Sequence, residues 1–298
     1  MVLGEKRLMP IILDDKILSG VEKPARYMGN EWNIVRKNPS EASIRYAFCF
    51  PDLYEVGMSH LGMKILYHLL NRRDDTYCER VFAPWIDMEA AMRGHDIPLF
   101  ALESYDAIKD FDFIGFTLQY EMSYTNVLNM LDLAKIPLHS SDRSEEDPFV
   151  CAGGPCAYNP EPLADFIDFF VLGEGEEVIN ELLDIYLVWK EKGKPRKDFL
   201  DSIATVEGVY IPSFYIVGYN SDGTIAAVKP KSKECTERKE CPDSKECPES
   251  KECPESKEYP AVVKKRIVKD VDKVDFPDKI IVPYIDIVHD RIMLEIFR

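Results

Sequence analysis

The chain has 298 residues, 46% of them hydrophobic, which is enough to bury a full core in one large or two ordinary domains. Its net charge of −16 and pI near 4.8 disfavour a broad phosphate-binding surface, so nucleic acid is not an expected partner. The sequence shows neither a secretory apolar core nor a run long enough to span a bilayer, which makes the cytoplasm the expected location, with no membrane partner.

In chain order, residues 1–40 contain KPARYMGNEWNIV, lack clean periodicity and read as an arm that packs on the elements after it. Ile44, Tyr46, Phe48 and Phe50 then alternate with smaller or polar residues, the period of a strand. The stretch FPDLYEVGMSHLG, residues 50–62, comes next with more Asp, Tyr, Glu and Gly than a turn requires, at a place where α/β folds hold ligands. Ser59 is the expected N-cap of a helix with Leu61, Ile65, Leu66 and Leu69 on one face. Then come a strand near Tyr77 to Phe82, a helix through Trp85, Met88 and Met92, and a strand near Leu99 to Leu102. Phe113 to Thr117 suits a strand covered on both faces, and Ser123 is placed to cap a helix carrying Val127, Met130 and Leu131. Phe149 to Ala152, a Gly-Gly-Pro turn, a short segment at Pro162 to Phe166, a strand Phe169 to Leu172 and a helix from about Glu176 to Lys192 complete the series.

This alternation of strands and helices predicts an α/β fold over residues 41–195, a Rossmann-like or flavodoxin-like parallel sheet with helices on both faces. A β-rich extension lies beyond it. Within 196–230, Tyr215 to Tyr219 and Thr224 to Val228 flank NSDG, a hairpin turn sequence, and residues 261–298 contain two further strand-like stretches, Ile280 to Val288 and Arg291 to Phe297. Between them, residues 231–260 repeat KECPES-like hexads with Cys235, Cys241, Cys247 and Cys253 at equal intervals. Such charge-dense, proline-punctuated sequence reads as a disordered linker, and its spacing departs from the closely paired cysteines of zinc sites, so no metal ligand is assigned. Cys49, Cys78, Cys151 and Cys156 lie in apolar segments of a reduced core.

Four loops should share the carboxyl edge of the sheet: residues 51–57, 117–121, 152–155 and 173–177. Their glycines let backbone approach a ligand, and their Asp and Thr offer hydrogen bonds. Neither GxGxxG nor GxxxxGK[ST] is present, which argues against a conventional dinucleotide or triphosphate site. GxSxG and HExxH are absent too, and no catalytic residue is assigned.

The succession KPARYMGNEWN, FPDLYEVGMSHLG, ERVFAPWIDMEAAM, GFTLQYEMSYTNVLNMLDLA and AGGPCAYNPEPLADFIDFFVLGEGEE resembles the amino-terminal half of radical S-adenosylmethionine (SAM) proteins with a cobalamin-binding-type domain, and HDRIMLEIFR resumes the likeness. The resemblance implies cobalamin as cofactor, with its first contact loop of the form DxHxxG. Asp52 and Gly57 match that pattern, but Tyr54 stands where the cobalt-ligating His is expected, and a neutral phenol is a poor cobalt ligand. The implied role of Tyr54 is to cover the lower face of a base-off cobalamin without coordinating it. The resemblance places a second contact at Thr117 and Gln119, and the nucleotide tail along Gly153, Gly154, Gly173 and Gly175. In the family a CxxxCxxC motif for an iron–sulfur cluster comes after the strand resembling DRIMLEIFR, yet none occurs in these residues. Residues 261–298 are therefore expected to begin a truncated radical SAM domain, with cluster and SAM in a downstream part and no catalysis by this chain alone. Three alternatives stand beside this reading: a cofactor-free domain that docks on a separately encoded radical SAM chain, a flavin-binding flavodoxin-like domain, and metal handling by the cysteine repeat.

Overall fold

The computed structural model describes residues 10–231, 259–291 and 293. The helices are α1 (Asp15–Ser19), α2 (Tyr54–Gly57), α3 (Leu61–Arg72), α4 (Ile86–Gly94), α5 (Tyr124–Leu133), α6 (Gly175–Lys192) and α7 (Arg196–Ile203). The strands are β1 (Ile44–Phe50), β2 (Thr76–Phe82), β3 (Phe113–Thr117), β4 (Phe149–Gly153), β5 (Phe169–Val171), β6 (Val209–Tyr210), β7 (Tyr215–Tyr219) and β8 (Ile225–Pro230). Six strands form one sheet in the order β2-β1-β3-β4-β5-β6, parallel except for β6, while β7 and β8 form a separate antiparallel pair. This is the Rossmann-like α/β sheet with helices on both faces and a β-hairpin extension. The strand order is that of flavodoxin-like folds, whose connections reverse direction between β1 and β3.

Register decides which side chains share a face. Tyr46 lies opposite Phe113, Phe113 opposite Phe149, and Gly115 opposite Cys151, so one face of the sheet carries a continuous aromatic surface. Helices α3, α6 and α7 cover it. Phe199 of α7 and Tyr186 and Trp189 of α6 pack on Phe149 with ring centroids 4.6, 6.2 and 5.6 Å away. Helix α6 is matched to its dipole, with Glu176 and Glu177 in its first turn and Lys190 and Lys192 in its last, and it stops at Gly193 in the left-handed region. On the opposite side α4 and α5 are joined by Arg93, which pairs with Asp132 at 2.7 Å.

The edge strand β2 is fully buried because the amino-terminal segment and the loop after α4 wrap it. Arg80 donates to both oxygens of Glu31 at 2.9 and 2.8 Å and from Nε to Glu103 at 2.6 Å. Arg45 pairs in turn with Glu79 and with Asp106.

Several local expectations are corrected. His60, not Ser59, caps α3, its Nδ1 accepting from the Met63 N–H at 3.2 Å, because Ser59 Oγ donates back to the Glu55 carbonyl. Ser123 stands at the N-cap of α5, but its hydroxyl donates to the Tyr120 carbonyl instead of receiving an amide. Leu99 to Leu102 is no strand: only Phe100 bridges, to Ala107, since the chain turns back through Tyr105 to deliver Glu103 to Arg80. Ile280 to Val288 forms a single bridge, Val282 to Trp32, and Pro283 beside it lacks the N–H that a ladder needs. The cysteine repeat and most of Arg291 to Phe297 lie outside the described residues.

Residues 259–289 instead form a belt. Tyr259 stacks on Phe214 at 4.2 Å, Arg266 exchanges backbone bonds with Leu172 and Glu174, and the His289 N–H reaches Ser59 Oγ at 2.9 Å. Arg266 also pairs with Glu177 and Glu181 of α6, so the belt crosses that helix on its way to α3.

Candidate functional site

A cavity of about 460 Å³ lies between the aromatic face of the sheet and helices α3 and α6. Tyr46, Phe48, Phe113 and Phe169 form its sheet side, and Leu61, Ile65, Leu66, Ile179, Leu182 and Leu183 its helical side. From Phe113 to Thr117 the strand rises by roughly 13 Å, which sets the depth from floor to mouth. The mouth is polar and opens at the carboxyl ends of β3, β4 and β5, where parallel sheets collect ligands.

Six residues singled out in the sequence line this cavity: Thr117, Gln119, Gly153, Gly154, Gly173 and Gly175. Gln119 Nε2 donates to Thr117 Oγ1 at 2.7 Å, fixing the two together. Gly154 has φ +99, and a side chain there would meet the Leu118 carbonyl oxygen at 2.7 Å. Gly173 has φ +102, and a Cβ would lie 2.1 Å from the Arg266 carbonyl oxygen of the belt. Both glycines are thus required by close approach of the protein's own backbone. Gly153 differs, because a Cβ there finds ordinary contact distances, the nearest being 3.5 Å to the Val171 carbonyl.

Asp52, Tyr54 and Gly57 do not line the cavity. Asp52, just after β1, accepts from its neighbour's amide at 2.7 Å and from the Tyr120 hydroxyl at 2.5 Å. Tyr54 is 2% exposed; its hydroxyl donates to Glu31 at 2.7 Å and its ring meets Phe82 edge-on at 5.2 Å. Burial and the neighbouring Glu31 carboxylate raise its pKa far above the ordinary phenol range, so it stays protonated. Gly57 leaves room for the Phe82 ring, which a Cβ would meet at 2.3 Å.

His60, which is not among the residues singled out in the sequence, lines the cavity mouth, with its ring 5.6 Å from Phe50. Burial lowers its pKa, partly offset by a hydrogen bond to Gln119, and its Nδ1 lone pair is committed to the helix cap. Glu174, also at the mouth, accepts from the Val268 N–H of the belt. The floor residues were not legible as site residues because facing is set by register.

The family described as radical SAM proteins, N-terminal, matches residues 62–212. That is more than half of the chain, which belongs to this family. An uncharacterized protein of Methanocaldococcus jannaschii is 30% identical over 191 residues, covering 57% of this chain and 37% of that protein. The chain therefore spans little more than a third of that relative's length. A solved structure of the cobalamin-dependent S-adenosylmethionine radical enzyme OxsB, with aqua-cobalamin and S-adenosylmethionine bound, aligns at 12% identity and a TM-score of 0.35 over 68% of this chain and 27% of that chain. That likeness is too distant to assign a ligand. Among the described residues no helix is long and apolar enough to cross a membrane.

Proposed function

We propose that this chain is a cobalamin-binding module of a radical SAM protein, and that the iron–sulfur cluster and SAM are supplied from outside these residues. The observation that carries the reading is the deep aromatic cavity opening at the carboxyl edge of β3, β4 and β5, beside the strand-order reversal. Its shape and apolar lining fit the flat aromatic base on the nucleotide tail of cobalamin, with Thr117, Gln119, Gly153 and Gly175 at the entrance. Bound cobalamin would supply alkyl-transfer chemistry at cobalt; this chain would bind it and orient its face. Neither residue near the expected ligand position is set to ligate cobalt, since Tyr54 is a buried neutral phenol outside the cavity and the His60 Nδ1 lone pair is taken by the Met63 amide. Binding would then be base-off, without a protein ligand from α2 or the start of α3.

An anaerobic titration with hydroxocobalamin and cob(II)alamin tests this through the visible spectrum. Saturation near one equivalent with a base-off spectrum is expected, weakened by Gly153→Leu, which adds bulk to the cavity at a position where a Cβ meets only ordinary contact distances. Absence of saturable binding would favour the second reading, a cofactor-free domain that docks on a separate radical SAM chain. That reading is supported by Gly57, Gly154 and Gly173, each accounted for by the protein's own atoms.

A further inference from the structure

The cavity floor contains one hydroxyl among rings. Tyr46 is 5% exposed and lines the cavity, its side chain lying across the sheet so that its hydroxyl rests over Gly115, where a Cβ would meet it at 2.0 Å. Its partner is Cys151 Sγ at 3.5 Å, a thiol, which is a weak donor and a weak acceptor. Burying a hydroxyl is unfavourable unless it is well bonded, and phenylalanine serves at the aligned positions Phe113 and Phe149 of neighbouring strands. The Tyr46 hydroxyl therefore retains hydrogen-bonding capacity over Gly115, inward of the polar mouth and among the aromatic residues of the cavity. Burial also keeps it a neutral phenol, able both to donate and to accept.

We propose that Tyr46, positioned by Gly115 and Cys151, is a specificity residue that reads the far edge of the inserted aromatic base and favours a corrinoid whose lower base carries a hydroxyl there over one carrying methyl groups. This rests on the corrinoid reading above. A methylated edge leaves the Tyr46 hydroxyl with only its thiol, whereas a hydroxylated edge completes it, and sites built to bond a polar group discriminate against analogues that lack it.

The test compares three cob(II) corrinoids on the wild-type chain under anaerobic conditions: one with 5-hydroxybenzimidazole, one with 5,6-dimethylbenzimidazole, and cobinamide, which has no base. The expected result is about tenfold tighter binding of the hydroxylated form than of the dimethyl form, the effect of one well-placed buried hydrogen bond. Tyr46→Phe should abolish that preference and leave affinity for the dimethyl form within about twofold. Equal affinities for the two base-bearing forms, or cobinamide binding as tightly as either, would overturn the role of Tyr46 and leave cobalamin binding standing. If none of the three binds, the corrinoid reading falls and this inference with it. The wild-type comparison decides the matter even if the variant does not fold.

Discussion

Arg80 is the residue on which the buried edge of the sheet depends. Its guanidinium is 1% exposed and satisfies Glu31 and Glu103, two buried carboxylates. Burial alone would raise the pKa of Glu31, but the Arg80 hydrogen bonds and charge hold it below the ordinary carboxylate range. Replacing such a pair as a whole can be neutral, whereas removing one partner strands the other. Arg80→Met is therefore expected to cost about 3–5 kcal/mol in urea denaturation at neutral pH. Tyr54→Phe, which removes one hydrogen bond to Glu31, serves as the comparison at about 1 kcal/mol. A cost for Arg80→Met as small as that of Tyr54→Phe would show that Glu31 and Glu103 find other partners. None of this network was legible in the sequence, because nothing in the strand TYCERVF shows that its adjacent Glu79 and Arg80 are buried with the other five residues, or which partners they meet.

At the scale of an element, the start of α3 carries a titratable cap. His60 receives the Met63 amide as a neutral imidazole, and burial depresses its pKa. Below its ordinary pKa of about 6.5 the unfolded chain takes up a proton that the folded chain refuses, so stability is present above that pH and declines as pH falls through the window beneath it. Thermal unfolding between about pH 7.5 and pH 5.5 should show this decline, and His60→Asn, which keeps an N-cap acceptor without titrating, should flatten it. An unchanged slope in the variant would assign the pH dependence elsewhere. The elements themselves were largely readable. Aromatic alternation found β1, the short apolar runs found β3, β4 and β5, and the Asp-Gly turn found the β7–β8 hairpin. What failed was pairing without a local signature: Leu99 to Leu102 and Ile280 to Val288 have strand composition, but their partners are fixed by Arg80 and Trp32, distant in sequence. Of the four loops read from the sequence, 117–121, 152–155 and 173–177 meet at one cavity mouth and 51–57 does not, and the reason for Gly154 and Gly173 was backbone contact that only the fold shows.

For the whole molecule, a net charge of −16 means that folding concentrates negative charge. Raising sodium chloride from about 0.02 M to about 0.3 M should raise Tm by screening that repulsion, because the strongest ion pairs are buried and little weakened by salt. A falling Tm would mean that surface pairs such as Arg93 with Asp132 dominate instead. The belt from Tyr259 to His289 adds an order of events. Its bonds join Arg266 to Leu172, Val282 to Trp32 and His289 to Ser59, across separations of 94, 250 and 230 residues in the chain. During synthesis at about 5–20 residues per second, the sheet through β6 leaves the ribosome several seconds before the belt does. The nascent sheet thus has time to form with its α3–α6 side uncovered, and a ligand that meets the chain in that interval finds the cavity before the belt has fastened the helices over it.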